Sequence, residues 1–265
     1  MTQPVEQFFV GELAVEIHRD SSSLGARGAR LARECLTRAV AERGSARLIA
    51  ATGNSQFGLV EALAGESIPW DKVTVFHMDE YIGLDENHPA GFRRWIRERI
   101  EIPLQPQHVE YIHGDAPDPG AECARYEAAL RAAPIDLVLM GIGENGHLAF
   151  NEPVVSDFDD ARWVREIRLD DVSRQQQVGE GHFPDVASVP ATAISLTIPA
   201  LLAPGVLIVS VPEERKAAAV RTALRGPISI DCPASILRTT SHATLLLDPD
   251  SASGLDLPTD QASLG

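Results

Sequence analysis

Apolar and polar residues follow one another along this chain in a pattern that predicts alternating strands and helices. Residues 10–17 have the spacing of a first strand. Residues 22–43 place apolar side chains at helical intervals, with Ser22 or Ser23 as the cap and Gly44 as the stop. Further strands are predicted at residues 46–51, 73–78, 135–141, 206–211 and 243–247, and further helices at residues 57–63, 92–100, 121–132 and 213–224.

The strand at residues 135–141 (IDLVLMG) is apolar on both faces, which is typical of a central strand in a parallel sheet. Repeated strand–helix units of this kind predict an α/β fold with a mainly parallel sheet and helices on both faces. Residues 144–190 show no clear period and are expected to be irregular. We expect one α/β domain over residues 1–249, then a flexible tail over residues 250–265. Functional residues should lie in loops at the carboxyl ends of the strands.

The formal net charge of −15 argues against non-specific binding to nucleic acid or to an anionic membrane surface. A site for an anionic ligand then has to supply positive potential locally. Cys35, Cys123 and Cys232 are widely spaced and form no CxxC pair, so we expect neither a disulfide framework nor a metal site. The amino-terminal residues lack the pattern of a signal peptide, and no apolar run approaches about 18 residues, which predicts a cytoplasmic protein without a membrane span.

Thr52, Gly53, Asn54 and Ser55 form a turn between a predicted strand and a predicted helix. Free amides at the start of a helix attract phosphate or carboxylate, and a glycine lets the backbone approach a ligand closely. The turn matches neither the GxGxxG motif nor a Walker loop, so no nucleotide cofactor is expected. By itself the segment also fits a plain connection in which Ser55 caps the helix.

Asp79 and Glu80 directly follow the strand at residues 73–78. A carboxylate at the end of a strand, held partly out of water, is suited to act as a general base toward a carbon-bound proton. Asp79 is the candidate for that role. We expect Glu80, Asp85 and Glu86 to be solvated acids of a surface turn.

The segment MGIGENGHLAFNEP, residues 140–153, contains the strongest cluster of candidate residues. Its glycines directly follow a buried strand, so the backbone either turns tightly there or approaches another group closely. His147 and Glu152 lie in this loop with Asn145 nearby, which suggests an oriented proton-transfer pair. One histidine and one acid are too few for a zinc site, which ordinarily needs three or more protein ligands.

Four blocks of the sequence together resemble the glucosamine-6-phosphate deaminase family, which is related more distantly to the 6-phosphogluconolactonases. The blocks are ATGNSQFGLVEAL, FHMDEYIGLDENHPAGF, IDLVLMGIGENGHLAFNEP and VPATAISLTIPALLAPGVLIVSVPEERKAAAVRTALRGP, and their order matches the family over residues 46–247. The ending NEP is similar to the deaminases, because the lactonases have a segment closer to GHTASLFP there. The resemblance implies a catalytic domain with a modified Rossmann-like architecture of the sugar-phosphate isomerase/deaminase type, a small sugar-phosphate substrate and no cofactor.

The resemblance also implies a role for each candidate residue. Asp79 would move the C2 proton of the ring-opened amino sugar to C1. His147, oriented by Glu152, would assist opening of the pyranose ring, and Asn145 would be a polar supporting group. The turn of residues 52–55 would wrap the 6-phosphate, with Lys216 as its counter-charge. Without the resemblance, a lysine in the first turn of a helix is more typical of a solvated surface. The products would be fructose 6-phosphate and ammonia.

One segment departs from the family pattern. The better-known members carry a phosphate-contacting arginine near an NSRFF-like motif after NEP, whereas this chain reads DDVSRQQQVGEGHFPDVASVP. Arg174 is the nearest candidate, with Gln177 and His182 as further ones. Three alternatives stay open: a deaminase for another amino-sugar phosphate such as galactosamine 6-phosphate, a 6-phosphogluconolactonase, and a sugar-phosphate-binding regulator without catalysis. The family includes monomers and hexamers, so a homo-oligomer is a further alternative.

Overall fold

A computed structural model describes residues 3–153, 155–169, 171–179 and 181–256. Numbered in chain order, the strands are β1 (Glu6–Val10), β2 (Leu13–Ile17), β3 (Ala46–Ala50), β4 (Val73–His77), β5 (Asp79–Tyr81), β6 (His108–Glu110), β7 (Leu137–Met140), β8 (Val164–Arg168), β9 (Thr192–Leu196), β10 (Val206–Val211) and β11 (Ala243–Leu247). The helices are α1 (Ser21–Arg43), α2 (Phe57–Leu63), α3 (Phe92–Ile96), α4 (Ile102–Leu104), α5 (Pro119–Arg131), α6 (Asp171–Gly179), α7 (Ile198–Leu202) and α8 (Ala217–Arg225).

The main sheet has eight strands in the order β1-β2-β11-β10-β7-β3-β4-β6. All its neighbouring strands are parallel except β1, which runs antiparallel to β2 at one edge. The central strand β7 is buried along its whole length, as the continuous apolar run in the sequence requires. The predicted mainly parallel α/β sheet is confirmed.

Helices cover both faces of this sheet. Successive side chains of a strand point to opposite faces, and those of β10 divide between two apolar clusters accordingly. Val209 belongs to the cluster that contains α5, α7 and α8, whereas Ile208 belongs to the cluster that contains α1 and α2. The sheet is therefore the middle layer of three, and its carboxyl edge is left open for a site.

Helix α1 begins two or three residues earlier than the predicted serine caps, Ser22 or Ser23, would place it. Asp20 is the cap: its carboxylate accepts the backbone N–H of Ser23 at 2.7 Å, and the Ser23 hydroxyl accepts the N–H of Asp20 at 3.1 Å. This reciprocal pair satisfies two N–H groups at the helix start. The helix ends at Gly44, which has a left-handed φ of 77°, as predicted.

The chain departs from the predicted elements at its beginning and in its middle. Residues 10–17, expected as one strand, are divided by a turn at Gly11, and β1 and β2 pair as a hairpin. The segment expected to be irregular contains β8 and α6, and β8 belongs to a second, antiparallel sheet of order β5-β9-β8. Beside this sheet, the rings of Tyr81, Phe150 and Phe183 form a separate aromatic cluster.

The segment expected to be a flexible tail packs on the core where the structure describes it. Ala252 and Leu255 are buried in the same cluster as α8. The backbone N–H of Ser251 donates to the carboxylate of Asp248 at 2.8 Å. Residues 257–265 of the predicted tail lie outside the described residues. Of the helices described, none has the length and apolar character needed to cross a membrane.

Candidate active site

A cavity opens at the carboxyl edge of the main sheet, where parallel strands bring their ends together. Four strands each contribute a wall: residues 51–56 after β3, Met78 and Asp79 after β4, residues 141–143 with His147 after β7, and Arg215 with Lys216 after β10. Residues near the second sheet, among them Gln177 of α6, line the cavity as well. Candidate residues that are distant in the sequence therefore meet at one site.

All four residues of the predicted phosphate-binding turn line the cavity. Gly53 has φ 101° and ψ 166°, a backbone conformation essentially restricted to glycine. A 3₁₀ turn, Asn54–Gln56, then leads into α2, which begins without a side-chain cap. The buried amide of Gln56 donates to the Ser55 hydroxyl at 3.2 Å and to the Ser210 carbonyl at 3.3 Å. Ser55 is thus part of the cavity wall rather than a helix cap.

Asp79 is buried at the cavity, whereas Glu80 has a structural position. Burial, and secondly the charge of Glu80, raises the pKa of the Asp79 carboxyl to about 8. Glu80 was expected to be solvated, but it is 1% exposed and accepts the backbone N–H groups of Tyr81, Phe92 and Arg93 at 2.7 to 3.1 Å. Burial raises its pKa to about 6, and these hydrogen bonds limit the rise.

His77 fixes the backbone that carries Asp79, a role that sequence reasoning missed. Its Nε2 lies 2.9 Å from the backbone nitrogen of Ile112, and its Nδ1 lies 2.8 Å from the carbonyl oxygen of Asp79. Because the Ile112 N–H can only donate, Nε2 is the acceptor and Nδ1 carries the hydrogen bonded to Asp79. Burial lowers the pKa of His77 to about 3, so the ring stays neutral.

His147, Asn145 and Glu152 form one hydrogen-bonded network. The Asn145 amide nitrogen donates to Glu152 Oε2 at 2.7 Å, and the Asn145 amide oxygen lies 2.8 Å from Nδ1 of His147. Glu152 Oε1 lies 3.3 Å from the same Nδ1. Since both neighbours are acceptors, Nδ1 carries the hydrogen, and Nε2 is the ring nitrogen available for chemistry. Burial opposes ionisation of Glu152, but His147, Ser173 and Asn145 together lower its pKa.

Gly143 allows the ring of His147 to lie where it does. A Cβ on residue 143 would come within 2.2 Å of both Cε1 and Nε2 of that ring. The Gly143 backbone N–H also donates to the His147 carbonyl at 2.9 Å. This is the close approach that the glycines of the segment predicted.

The turn after β10 brings two cations to the cavity. Lys216 is 4% exposed, so it is not the solvated lysine that its helical position alone suggests. Arg215 lines the same cavity. Its Nε lies 2.5 Å from Glu213 Oε2, and its Nη1 lies 3.1 Å from Glu144 Oε1. Sequence reasoning missed Arg215, whose one available signal was its position next to Lys216.

Three predicted site residues, Asn145, Glu152 and Arg174, do not line the cavity. Asn145 and Glu152 contact His147, which does line it, whereas Arg174 has other partners. It lies on α6, and its Nη2 donates to the carbonyls of Val186 at 2.6 Å and Val189 at 3.1 Å. Gln177 and His182, which were weighed as alternatives to it, do line the cavity.

The three cysteines, Cys35, Cys123 and Cys232, are buried free thiols. Within the described residues, no three His, Cys, Asp or Glu side chains are grouped so that they could hold a metal ion.

Residues 19–246 match the model of a protein family described as glucosamine-6-phosphate isomerases/6-phosphogluconolactonase. The chain belongs to this family. The glucosamine-6-phosphate deaminase of Exiguobacterium sp. (strain ATCC BAA-1283 / AT1b) is 35% identical over 205 residues, which cover 77% of this chain and 78% of that protein. Glucosamine-6-phosphate deaminase 2 of Bacillus subtilis (strain 168) is 37% identical over 214 residues, covering 77% of this chain and 84% of the relative.

Solved structures agree with this membership. A monomeric glucosamine-6-phosphate deaminase superposes with a TM-score of 0.82 at 30% identity, covering 91% of this chain and 99% of the other. A 6-phosphogluconolactonase from Shewanella baltica OS155 superposes with a TM-score of 0.73 at 19% identity, covering 91% and 100%, which is a likeness of fold. The resemblance drawn from the four sequence blocks is confirmed, and the chain is an enzyme of the isomerase/deaminase type.

Proposed function

We propose that this protein converts glucosamine 6-phosphate and water into fructose 6-phosphate and ammonia. The observation that supports the proposal is the composition of one cavity, whose wall contains two proton-transfer groups, Asp79 and His147, together with two cations, Arg215 and Lys216. The relatives at 35% and 37% identity carry the name of this activity.

In the proposed reaction His147 opens the sugar ring. Nε2 takes the proton of the C1 hydroxyl and delivers it to the ring oxygen as the bond from that oxygen to C1 breaks. Asn145 holds the opposite nitrogen, Nδ1, and so fixes both the tautomer and the orientation of the ring. The ionised carboxylate of Glu152, 3.3 Å from Nδ1, stabilises the imidazolium that forms in passing.

Asp79 then moves a proton between two carbons. As a carboxylate it takes the proton from C2, which gives an enolamine, and returns it to C1, which leaves an imine at C2. Water adds to C2, and the nitrogen leaves as ammonia. A pKa near 8 makes this carboxylate a stronger base than an ordinary aspartate. The cationic amino group of the bound sugar favours its ionised form.

The 6-phosphate is assigned to the turn of residues 52–55 and to Lys216. The chain as a whole carries a formal charge of −15, so attraction for a dianion has to come from these local groups. Binding energy from a phosphate remote from C1 and C2 helps to hold the reacting carbons against Asp79 and His147.

Galactosamine 6-phosphate is the second candidate substrate. It differs from glucosamine 6-phosphate only at C4, so the chemistry at C1 and C2 is unchanged. The observation that favours testing it is the position of Arg174, which donates to the carbonyls of Val186 and Val189 and does not line the cavity.

The test is to incubate the purified protein with glucosamine 6-phosphate and to measure ammonia and fructose 6-phosphate together. We expect equal amounts of both. Asp79→Asn should lower turnover by roughly two orders of magnitude or more, as loss of a general base does. Asp71→Asn is the matched control, because the Asp71 side chain is 76% exposed and the same change of charge there should leave turnover normal.

Running the reaction in deuterium oxide separates the deaminase from a lactonase acting in the same cavity. Proton transfer from C2 to C1 allows solvent deuterium to enter C1 of the product, whereas lactone hydrolysis labels no carbon. Near-normal turnover by Asp79→Asn would remove Asp79 as the base. Saturable binding without turnover of either amino-sugar phosphate or of 6-phosphogluconolactone would instead support a regulator.

A cytoplasmic location and a homo-oligomer stay predictions for this chain. Light scattering of the purified protein measures its assembly directly, and fractionation of the source cells measures its compartment.

A further inference from the structure

Arg215 and Lys216, two basic residues that are adjacent in sequence, line the cavity. They differ in setting. Lys216 is 4% exposed, whereas the Arg215 side chain is 31% exposed and lies between two glutamates. Because a guanidinium presents several N–H donors in one plane, it can keep one acidic partner while it binds a further anion through its other donors.

The two glutamates attach Arg215 to two different walls of the cavity. Glu213, whose Oε2 lies 2.5 Å from Nε, belongs to the same turn as Arg215. Glu144, whose Oε1 lies 3.1 Å from Nη1, belongs to the loop after β7 that also carries His147. The Glu144 side chain is 40% exposed, and an ion pair of such exposed groups contributes little stability. An anion in the cavity can therefore compete with Glu144 for Nη1.

The backbone of this turn is held in a conformation that ordinary residues avoid. Glu213 has φ 83° without being a glycine. Its backbone N–H donates to the carboxylate of Asp248, with the two oxygens at 3.2 and 3.3 Å. Asp248 is itself buried at the end of β11 and accepts the N–H of Ser251. Strain of this kind persists where the surrounding structure enforces it, and it clusters at ligand-binding positions.

We infer that Arg215 is a phosphate-binding residue of this protein, which acts with Lys216 and gives up its ion pair with Glu144 when the anion binds. The inference rests on the proposed function for the identity of the substrate. A phosphate bound at the turn of residues 52–55 meets Lys216 as a point charge and Arg215 as a planar pair of donors. Arg215 then passes from its ion pair with Glu144 to the phosphate, while Glu213 keeps Nε in place.

The direct test measures binding of inorganic phosphate by isothermal titration calorimetry at constant ionic strength. Arg215→Gln should weaken phosphate binding by roughly 10- to 100-fold, which corresponds to the loss of one charge-assisted hydrogen bond. Arg221→Gln is the matched control, because Arg221 lies exposed on α8 and the variant has the same net charge. Its phosphate affinity should equal that of the wild type.

A second variant has the opposite expected sign. Glu144→Gln removes the competing carboxylate, so phosphate should bind more tightly, by roughly two- to five-fold for an exposed ion pair. A variant that merely disturbed the fold would not bind phosphate better than the wild type. In the ammonia assay with glucosamine 6-phosphate, Arg215→Gln should raise KM more than it lowers kcat, and Arg215→Lys should recover part of the loss in KM.

The outcomes separate this inference from the proposed function. If Arg215→Gln and Arg221→Gln bind inorganic phosphate equally well, Arg215 does not bind phosphate, whatever the turnover of the wild type. If no amino-sugar phosphate is turned over but Arg215→Gln still weakens phosphate binding, the proposed reaction fails and the assignment of Arg215 stands. An unchanged or weaker affinity in Glu144→Gln would overturn the part assigned to Glu144.

Discussion

Replacing Asp79 by asparagine should change how the stability of this protein depends on pH. Folding raises the pKa of this carboxyl from 3.8 to about 8. Between these two values the unfolded chain carries a carboxylate, whereas the folded protein keeps the group protonated, so Asp79 contributes a loss of stability as the pH rises. Below pH 3.8 both states are protonated and nothing is lost. Above about pH 8 the loss is complete. An amide at this position does not titrate, so the loss is absent from the variant.

The magnitude follows from the width of this pH window. Within it, the ionisation of Asp79 alone lowers the free energy of unfolding by about 1.4 kcal/mol for each pH unit of increase. From pH 5 to pH 7, the stability of Asp79→Asn relative to the wild type should therefore increase by about 2.7 kcal/mol. Any effect of the amide on packing is the same at every pH and drops out of this comparison.

The assay is urea unfolding, followed by far-ultraviolet circular dichroism, at pH 5, 6 and 7. Asp71→Asn should differ from the wild type by a constant amount, because the Asp71 side chain is exposed to solvent. A constant difference for Asp79→Asn as well would show that the folded protein ionises Asp79 normally. That result would contradict the raised pKa of the buried Asp79 carboxyl without any measurement of activity.

The same cavity gives three further expected outcomes. Because Asp79 has to be ionised to act as a base, kcat/KM in the ammonia assay should rise with pH up to about 8, and a profile already flat at pH 6 would contradict this. Gly143→Ala should lower kcat roughly 100-fold by displacing the His147 ring. Gly205→Ala, where the nearest atom is 3.9 Å from the added Cβ, should keep normal kcat in the same assay. Glu152→Gln should lower kcat roughly 10- to 100-fold and KM little, because the imidazolium loses its counter-charge. A rise in KM with an unchanged kcat would contradict that role.

The strands of the central sheet were predictable because their burial is uniform. β10 and β11 have the bounds that their apolar runs predict, since a strand covered on both faces contains few polar residues. The hairpin at the beginning of the chain was not predictable in the same way. Phe9 is 68% exposed on the edge strand β1, so its apolar side chain does not indicate which way the strand faces.

Helix α6 was missed because its buried face is polar. Ser173 and Gln177 lie one helical turn apart and are 2% and 8% exposed. Ser173 interacts with Glu152, and Gln177 lines the cavity. A helix that packs against a polar site has no apolar stripe with the helical period. The segment therefore looked irregular in the sequence, although it forms a regular helix.

Within the candidate site, sequence reasoning reached residues whose immediate neighbours are distinctive, such as Asp79 and His147. It missed residues whose importance comes from distant segments. The partner of Arg215 in the loop after β7 is Glu144, 71 residues away, and Nε2 of His77 accepts from Ile112, 35 residues away. Neither contact leaves a local pattern in the sequence. The sequence did not indicate the burial of Glu80 either. Its carboxylate accepts hydrogen bonds from the start of α3, and these depend on where that helix packs in the fold.

His77 and Asp79, two residues apart, are both kept uncharged by burial. His77 therefore lowers the stability of the fold as the pH falls, and Asp79 lowers it as the pH rises. The unfolded chain protonates His77 below about pH 6.5, but the folded protein does so only near pH 3, so acidification through that range costs stability. Asp79 costs stability in the opposite direction, from pH 3.8 to about 8. Between pH 3.8 and 6.5 the two slopes, each about 1.4 kcal/mol per pH unit, cancel. The combined contribution of these two groups to stability is therefore independent of pH in mild acid. It falls under the mildly alkaline conditions in which Asp79 becomes ionised.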